Sequence, residues 1–376
     1  MKIAVIAHLK FPIREPFHGG LEMHTHALVE HLSRRGHDVT LFALPDSDPR
    51  FRVVAPPLDA VEAAEGIDLF AEEPGFGMDF VNKFHAYASV MNAIQEGPFD
   101  LVHNNSLHFL PLALAHTLDC PMVTSLHCPP FASLRSGVIL ARPYLGNHFV
   151  AVSQSTARQW ASDITHCSVV LNGIAVDRWD FSPEGKPRTA FWFGRICPEK
   201  GPEYAIKAAR RAGFRLRLAG SIYDQEYFDR AVAPELDDTV EYIGHLDHAG
   251  ICREAGRAAV GMFTSTWEEP FGLVLPELLA CGTPVVAFDS GATREILDNS
   301  CGVIVPKYDV EALAAALPTA ARLDRKDCRR RAERDFSVSR MIDGYETIYR
   351  RLAPASAPRA AAWSVPSLPT AASSVA

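Results

Sequence analysis

Seven residues separate Glu269 from Glu277 in the stretch STWEEPFGLVLPELLACGTPVVAF (265–288), and a pair of carboxylates raises the chemistry of glycoside cleavage first. That chemistry needs its two carboxyl groups ~5–9.5 Å apart. Eight helical residues span ~12 Å, a distance that shortens only if Glu269 lies off the helix, so hydrolysis is the weaker reading. Pro276 fits only the first turn of a helix or a kink, and the helix bearing Glu277 is therefore expected to begin near Phe271 or Gly272. Such a start leaves the backbone N–H groups of Gly272, Leu273 and Val274 at the positive end of the helix dipole, where a phosphate is held. Taken alone, Glu277 could equally be a solvated helix residue and Glu269 a cap.

A second stretch, FGRICPEKG (193–201), offers cations. Arg195 presents a planar fork that suits a diphosphate, and Lys200 a point charge able to reach the same oxygens. An isolated Arg and Lys are ordinarily surface residues. A helix start in the same half of the chain that also calls for an anion shifts the balance toward a diphosphate site. In the first half, Gly19-Gly20 lets backbone approach a ligand at the start of a helix, with Glu22 in its first turn. His127 follows an apolar run at 122–126, although a single histidine is more often structural. His24 and His26 are two apart on a helix and do not share a face, which argues against a metal. The eight cysteines are scattered without CxxC pairs and are read as reduced and mostly structural.

These residues must be positioned by alternating strands and helices. Strands are expected at 2–7, 38–44, 99–103, 122–126 and 148–152, with helices at 21–35, about 77–96 and about 107–118. Residues 45–75 are rich in proline and acidic residues and are expected to form an ordered excursion or a mobile flap. After a turn-rich stretch at 177–188 that reads as a linker, a second series places strands at 189–193, 215–219, 240–243, 260–264 and 284–288. Alternation of this kind makes an α/β fold with parallel sheets covered on both faces, hence two Rossmann-like halves. Ligands bind outside the carboxyl ends of such strands, and two such halves are expected to face each other across a cleft.

The chain of 376 residues suits two domains of about 150–200 residues each. A net charge of −8 with an ordinary charged fraction of 22% offers nothing overall to a nucleic-acid backbone or an anionic membrane. The opening MKIAVIAHLKF is too short an apolar run for a signal peptide, and no segment approaches about 20 apolar residues, so a cytoplasmic location is expected. Residues 337–352, SVSRMIDGYETIYRRL, carry apolar side chains at helical spacing along one stripe, so this helix needs a surface to cover. Residues 354–376 are rich in Ala, Ser and Pro without periodicity and are expected to be disordered.

Through most of residues 1–350 the chain resembles the family-4 retaining glycosyltransferases of the GT-B fold (bacterial glycosyltransferase group 1 type). The likeness is strongest in GRICPEKG (194–201) and EPFGLVLPELLACGTPVVAF (269–288). HGGLEMHTHALVEHLSRRGHDVTLFA (18–43), VSQS (152–155), LNGI (171–174), RLAG (217–220) and VEYIGHL (240–246) support it. Pro276, where the family commonly has an aliphatic residue, and the loop LKFPIREPFH (9–18) depart from the pattern. The resemblance implies an acceptor-side domain at 1–175, a nucleotide-sugar domain at 189–336, and a helix at 337–352 that crosses back to the first domain. It implies that Arg195 and Lys200 bind the donor diphosphate and stabilise its charge, that Glu269 holds hydroxyls of the transferred sugar, and that Glu277 holds the donor ribose. Backbone of Phe271, Gly272, Leu273 and Val274 would line sugar and phosphates, His127 would meet the transferred sugar, and Gly20 would lie near the phosphates.

The expected reaction moves a hexose from a nucleoside-diphosphate sugar, UDP-glucose-like by resemblance, to an acceptor hydroxyl with retention of configuration. No DxD-type pair stands where a metal would bridge the diphosphate, and Arg195 with Lys200 can supply that charge, so neither metal nor cofactor is expected. The partners are the nucleotide sugar and a hydroxyl acceptor, with transient membrane contact allowed and no nucleic acid. A sugar-nucleotide epimerase, a glycan phosphorylase and a non-catalytic nucleotide-sugar-binding protein are the alternatives.

Overall fold

A computed structural model of the protein describes residues 1–58, 78–144 and 146–353. The chain forms two compact units, each assembled from separated segments. The first takes in Met1–Ala151, Gln159–Val169 and the chain from Ile342 onward; the second takes in Val152–Arg158 and Val170–Met341.

In the first unit, strands β1 (Lys2–Ile6), β2 (Asp38–Phe42), β3 (Arg52–Val54), β4 (Leu101–Asn104), β5 (Met122–Leu126), β6 (Asn147–Ala151) and β7 (Cys167–Val169) form one sheet in the order β3-β2-β1-β4-β5-β6-β7. Every pairing in it is parallel. The central strands are short, continuous apolar runs such as KIAVI, as burial on both faces requires. Helices Gly20–Arg34 and Met78–Glu96 follow the expected segments. The expected helix at 107–118 is shorter, Phe109–Ala113 followed by a 3-10 turn at Ala115–Thr117. The expected excursion at 45–75 contains the edge strand β3, and its residues 59–75 lie outside the described residues.

In the second unit, β8 (Lys186–Phe193), β9 (Arg215–Ala219), β10 (Val240–Tyr242), β11 (Ala258–Phe263), β12 (Val285–Phe288) and β13 (Gly302–Val305) form a sheet ordered β10-β9-β8-β11-β12-β13, again parallel throughout. The two-residue period of a strand divides its core. Phe191, Phe193, Val285 and Ala287 enter one apolar cluster, while Trp192, Val260, Met262, Val286 and Phe288 enter the other. The stretch 177–188, which reads as a linker in sequence, belongs to this unit because Trp179, only 5% exposed, packs in the first of these clusters. Its last residues already belong to β8.

Helix Val338–Leu352 gives its first residues to the second unit and the rest, from Ile342, to the first. Within the first unit Tyr345 and Tyr349 are fully buried, and Glu346 joins His37 (3.0 Å) and Arg35 (3.1 Å). No helix among the described residues is long and apolar enough to cross a membrane. None of the eight cysteines forms a disulfide among the described residues.

Candidate functional site

Strand order reverses at β1/β4 in the first sheet and at β8/β11 in the second, and crevices for ligands open beyond the carboxyl ends of strands at such points. The chemistry-bearing residues of each unit collect there.

In the second unit, the chain leaves β8 through Gly194 and Arg195. The Arg195 guanidinium is exposed and lies 4.8 Å from the ring centre of Tyr223, itself exposed. Gly220 allows the neighbouring strand end to come this close, since a Cβ there would sit 1.8 Å from the Gly194 carbonyl oxygen. A 3-10 turn, Pro198–Lys200, then carries Lys200. From the adjacent strand β11 the chain runs through Thr264 and Ser265 to Glu269. Lys200 Nζ donates to both carboxylate oxygens of Glu269, at 2.8 and 2.6 Å, and Ser265 Oγ (3.0 Å) and the Trp267 indole N–H donate to Oε2. The structure therefore brings Lys200 and Glu269 together as one mostly buried, charge-assisted constellation.

The backbone under Glu269 is equally constrained. Gly291 has φ +53°, and a Cβ there would fall 1.9 Å from the Glu269 carbonyl oxygen, which also accepts from Ala292 N at 3.1 Å. Only glycine permits that approach. The sequence reading missed Ser265, Trp267 and Gly291; the glycine following the strand at 284–288 was the one available signal.

The helix bearing Glu277 begins later than expected, at Val274, with Leu273 as its cap and Pro276 in its first turn. Its own bonding opens with Leu275 N on Gly272 O (3.0 Å) and Glu277 N on Leu273 O (3.1 Å). Gly272, at φ +85°, turns the chain into it. Phe271 is buried in the core, and Leu273 and Val274 are partly exposed. Glu277 is 8% exposed, so a solvated helix residue is excluded. Its carboxylate has no protein hydrogen-bond partner among the described residues. Burial pushes its pKa up to about 7, against the opposing pull of nearby His248.

That shift has a measurable sign. A carboxyl whose folded pKa lies above its unfolded value of 4.5 contributes stability below that value and loses it as pH rises through about 7. Glu277→Gln is therefore expected to raise stability by up to about 3 kcal/mol near pH 8 and to change it little near pH 4.5. Urea melts at the two pH values check this, and equal effects at both would refute an ionised, unpaired Glu277.

In the first unit, Gly19 caps helix Gly20–Arg34 in extended backbone, so Gly20 opens the helix. His8, just past β1, sits 2.9 Å from Glu22, whose carboxyl burial would push up but His8 draws below its ordinary value. His127, just past β5, is partly exposed. Its Nε2 lies 3.0 Å from Asn105 Oδ1, and its ring meets that of His24 edge-on at 4.5 Å. Burial, with His24, His103 and His8 nearby, holds the pKa of His127 well below the usual histidine range. Among the described residues no group of three or more His, Cys, Asp or Glu is arranged to hold a metal ion.

Residues 174–335 match the family model described as glycosyl transferases group 1, and residues 18–178 match the model described as glycosyltransferase family 4. A glycogen synthase of Mycobacterium tuberculosis (strain ATCC 25618 / H37Rv) is 29% identical over 381 residues, covering 88% of this chain and 91% of that protein. A phosphatidyl-myo-inositol mannosyltransferase of Mycobacterium leprae (strain TN) is 29% identical over 346 residues, covering 86% and 88%. In fold the chain is similar to the sucrose-phosphate synthase from Thermosynechococcus elongatus, with a TM-score of 0.72 at 20% identity over 93% of this chain and 98% of that one. It is also similar to Anabaena Alr3699/HepE in complex with UDP-glucose, with a TM-score of 0.70 at 20% identity over 93% and 99%.

Proposed function

The chain belongs to the group 1 glycosyltransferases of the GT-B fold, and from that premise we propose that it transfers a hexose from a nucleoside-diphosphate sugar to an acceptor hydroxyl with retention of configuration and without a metal. The observation that carries this reading is the Lys200–Glu269 pair at the strand-order reversal of the second sheet, with Lys200 on the same loop after β8 that carries Arg195. There a cation and a hydroxyl-binding carboxylate stand together, as the diphosphate and sugar of one donor require.

In the proposed reaction the bond between the anomeric carbon and the diphosphate oxygen breaks while the acceptor oxygen bonds to that carbon from the same face. The acceptor proton passes to the departing diphosphate. Lys200 and Arg195 stabilise the negative charge that grows on the leaving group, which is where preorganised charge lowers a barrier most. Glu269 accepts hydroxyls of the transferred sugar, and the unpartnered Glu277 accepts the ribose hydroxyls. Backbone of Phe271, Gly272, Leu273 and Val274 lines sugar and phosphates; Gly20 approaches the phosphates, and His127 contacts the transferred sugar. A UDP-glucose-like donor is favoured because a structural neighbour is in complex with UDP-glucose. An epimerase, a phosphorylase and a non-catalytic binding protein gain no support from the matches.

A thermal-shift panel of nucleotide sugars tests the donor. One present at 100 times its Kd is expected to stabilise by about 2.7 kcal/mol. With the donor in hand and EDTA present, proton NMR of the earliest product is expected to show the donor's anomeric configuration. An inverted product would overturn retention, and activity that returns only with added magnesium or manganese would overturn metal independence.

A further inference from the structure

The polar interior of the first unit is a chain of side chains that ends on His127. Asn105, one residue past β4, places its amide oxygen 3.0 Å from His127 Nε2 and 3.1 Å from His103 Nε2. Its amide nitrogen donates on the other side to Thr25 Oγ1 (3.3 Å) and His24 Nδ1 (3.5 Å). An amide oxygen only accepts, so both imidazoles must carry their proton on Nε2. His103 Nε2 also reaches Ser125 Oγ at 2.8 Å, and its Nδ1 accepts from the Tyr349 hydroxyl. Ser125 in turn meets the Tyr345 hydroxyl at 2.9 Å. Asn105, Ser125, His103 and the two tyrosines are fully or almost fully buried.

The remaining ring nitrogen of His127, Nδ1, has no protein partner among the described residues. The groups that face this ring or its partners are His24 from helix Gly20–Arg34, His8 past β1 with its neighbour Glu22, His103 from β4, and Tyr345 and Tyr349 from the terminal helix. Among the described residues no carboxylate hydrogen-bonds to His127, and burial holds His24 and His103 at about 3 and His127 well below the usual histidine range, so these three rings are neutral through the physiological range.

We propose that Asn105 is a positioning residue that locks His127 as a neutral imidazole protonated on Nε2, so that its Nδ1 lone pair accepts a hydroxyl of the transferred sugar, with Tyr349 completing the relay through His103. This rests on the donor reading above. The lock makes the ring an acceptor and nothing else. An imidazole free to exchange its proton would spend part of its time as a donor, and a protonated one would offer the sugar hydroxyl no lone pair.

The experiment uses the full chain. Nitrogen-15 NMR of the histidine side chains, with His127 identified by its loss in His127→Ala, is expected to show the Nε2-protonated form from pH 5.5 to 8. Asn105→Asp puts a carboxylate against both rings, favours imidazolium at His127 and turns Nδ1 into a donor at low pH. Its kcat/KM is expected to fall at least about tenfold below wild type at pH 6 and to recover toward pH 8, where wild type is flat.

An Nδ1-protonated His127 in the wild-type spectrum would overturn the proposal whether or not Asn105→Asp folds. So would an Asn105→Asp profile parallel to that of wild type. If no nucleotide sugar is turned over, the donor reading fails while the NMR result still decides the tautomer. If turnover is robust and depends on Lys200 but the pH profiles run parallel, the donor reading stands and the positioning role falls.

Discussion

Lys200→Ala is expected to lower turnover by about 10²–10³-fold while donor affinity falls by less than about tenfold, because in the proposed reaction charge accumulates on the diphosphate only as its bond to the anomeric carbon breaks. The geometry adds a second reason. Lys200 holds both oxygens of Glu269, so its removal frees the carboxylate to rotate, with Ser265 and Trp267 the only donors left to it among the described residues. Arg195→Ala should lower turnover less, since that guanidinium is exposed and held by stacking on Tyr223 rather than by an ion pair. Steady-state kinetics and direct measurement of donor affinity on each single variant separate the two effects. Unchanged turnover in both variants would remove these residues from the chemistry.

Ending the chain before Ser337 is expected to abolish cooperative folding and activity together. Val338, Met341, Ile342, Tyr345, Ile348 and Tyr349 are each 6% exposed or less. At ~1.5–3 kcal/mol per buried side chain their loss exceeds much of the ~5–15 kcal/mol that holds a typical protein folded. Polar partners are stranded as well, because His103 loses the Tyr349 hydroxyl, Ser125 that of Tyr345, and Arg35 and His37 lose Glu346. A stop after Pro354 removes only residues that lie outside those described and leaves every one of these contacts in place, so its melting curve and turnover should match the full chain. A chain ending before Ser337 that melted and turned over normally would refute the role given to this helix.

The sheets were legible in sequence because buried parallel strands such as KIAVI and VVAF are unbroken apolar runs. The edge strands β3 and β7 escaped because three residues with partly exposed faces leave no such run, and the four-residue run GVIV of β13 was missed as well. Glu277 was legible as a candidate through its spacing, but its burial was not, since a glutamate on a short helix looks the same in sequence whether it faces water or core. Asn105, Ser265 and Gly291 were invisible for a different reason. Asn105 and Gly291 each act on a residue 22 positions away through contacts that exist only once separate strands stand side by side, and Ser265 acts on Glu269 four positions on through the fold of the loop after β11.

The division of the terminal helix between the units bears on how the molecule is made. The first unit takes its polypeptide from residues 1–151, from 159–169, and then from Ile342 onward. A ribosome adding ~5–20 residues per second needs on the order of 10–30 s to produce the intervening stretch 170–341. Throughout that interval His103, Ser125, Arg35 and His37 have been synthesised but their partners on the terminal helix have not. The first sheet to leave the ribosome is thus the last to have its interior closed, and a nascent chain stalled anywhere before Ile342 presents that unfinished polar core to solvent or to a chaperone.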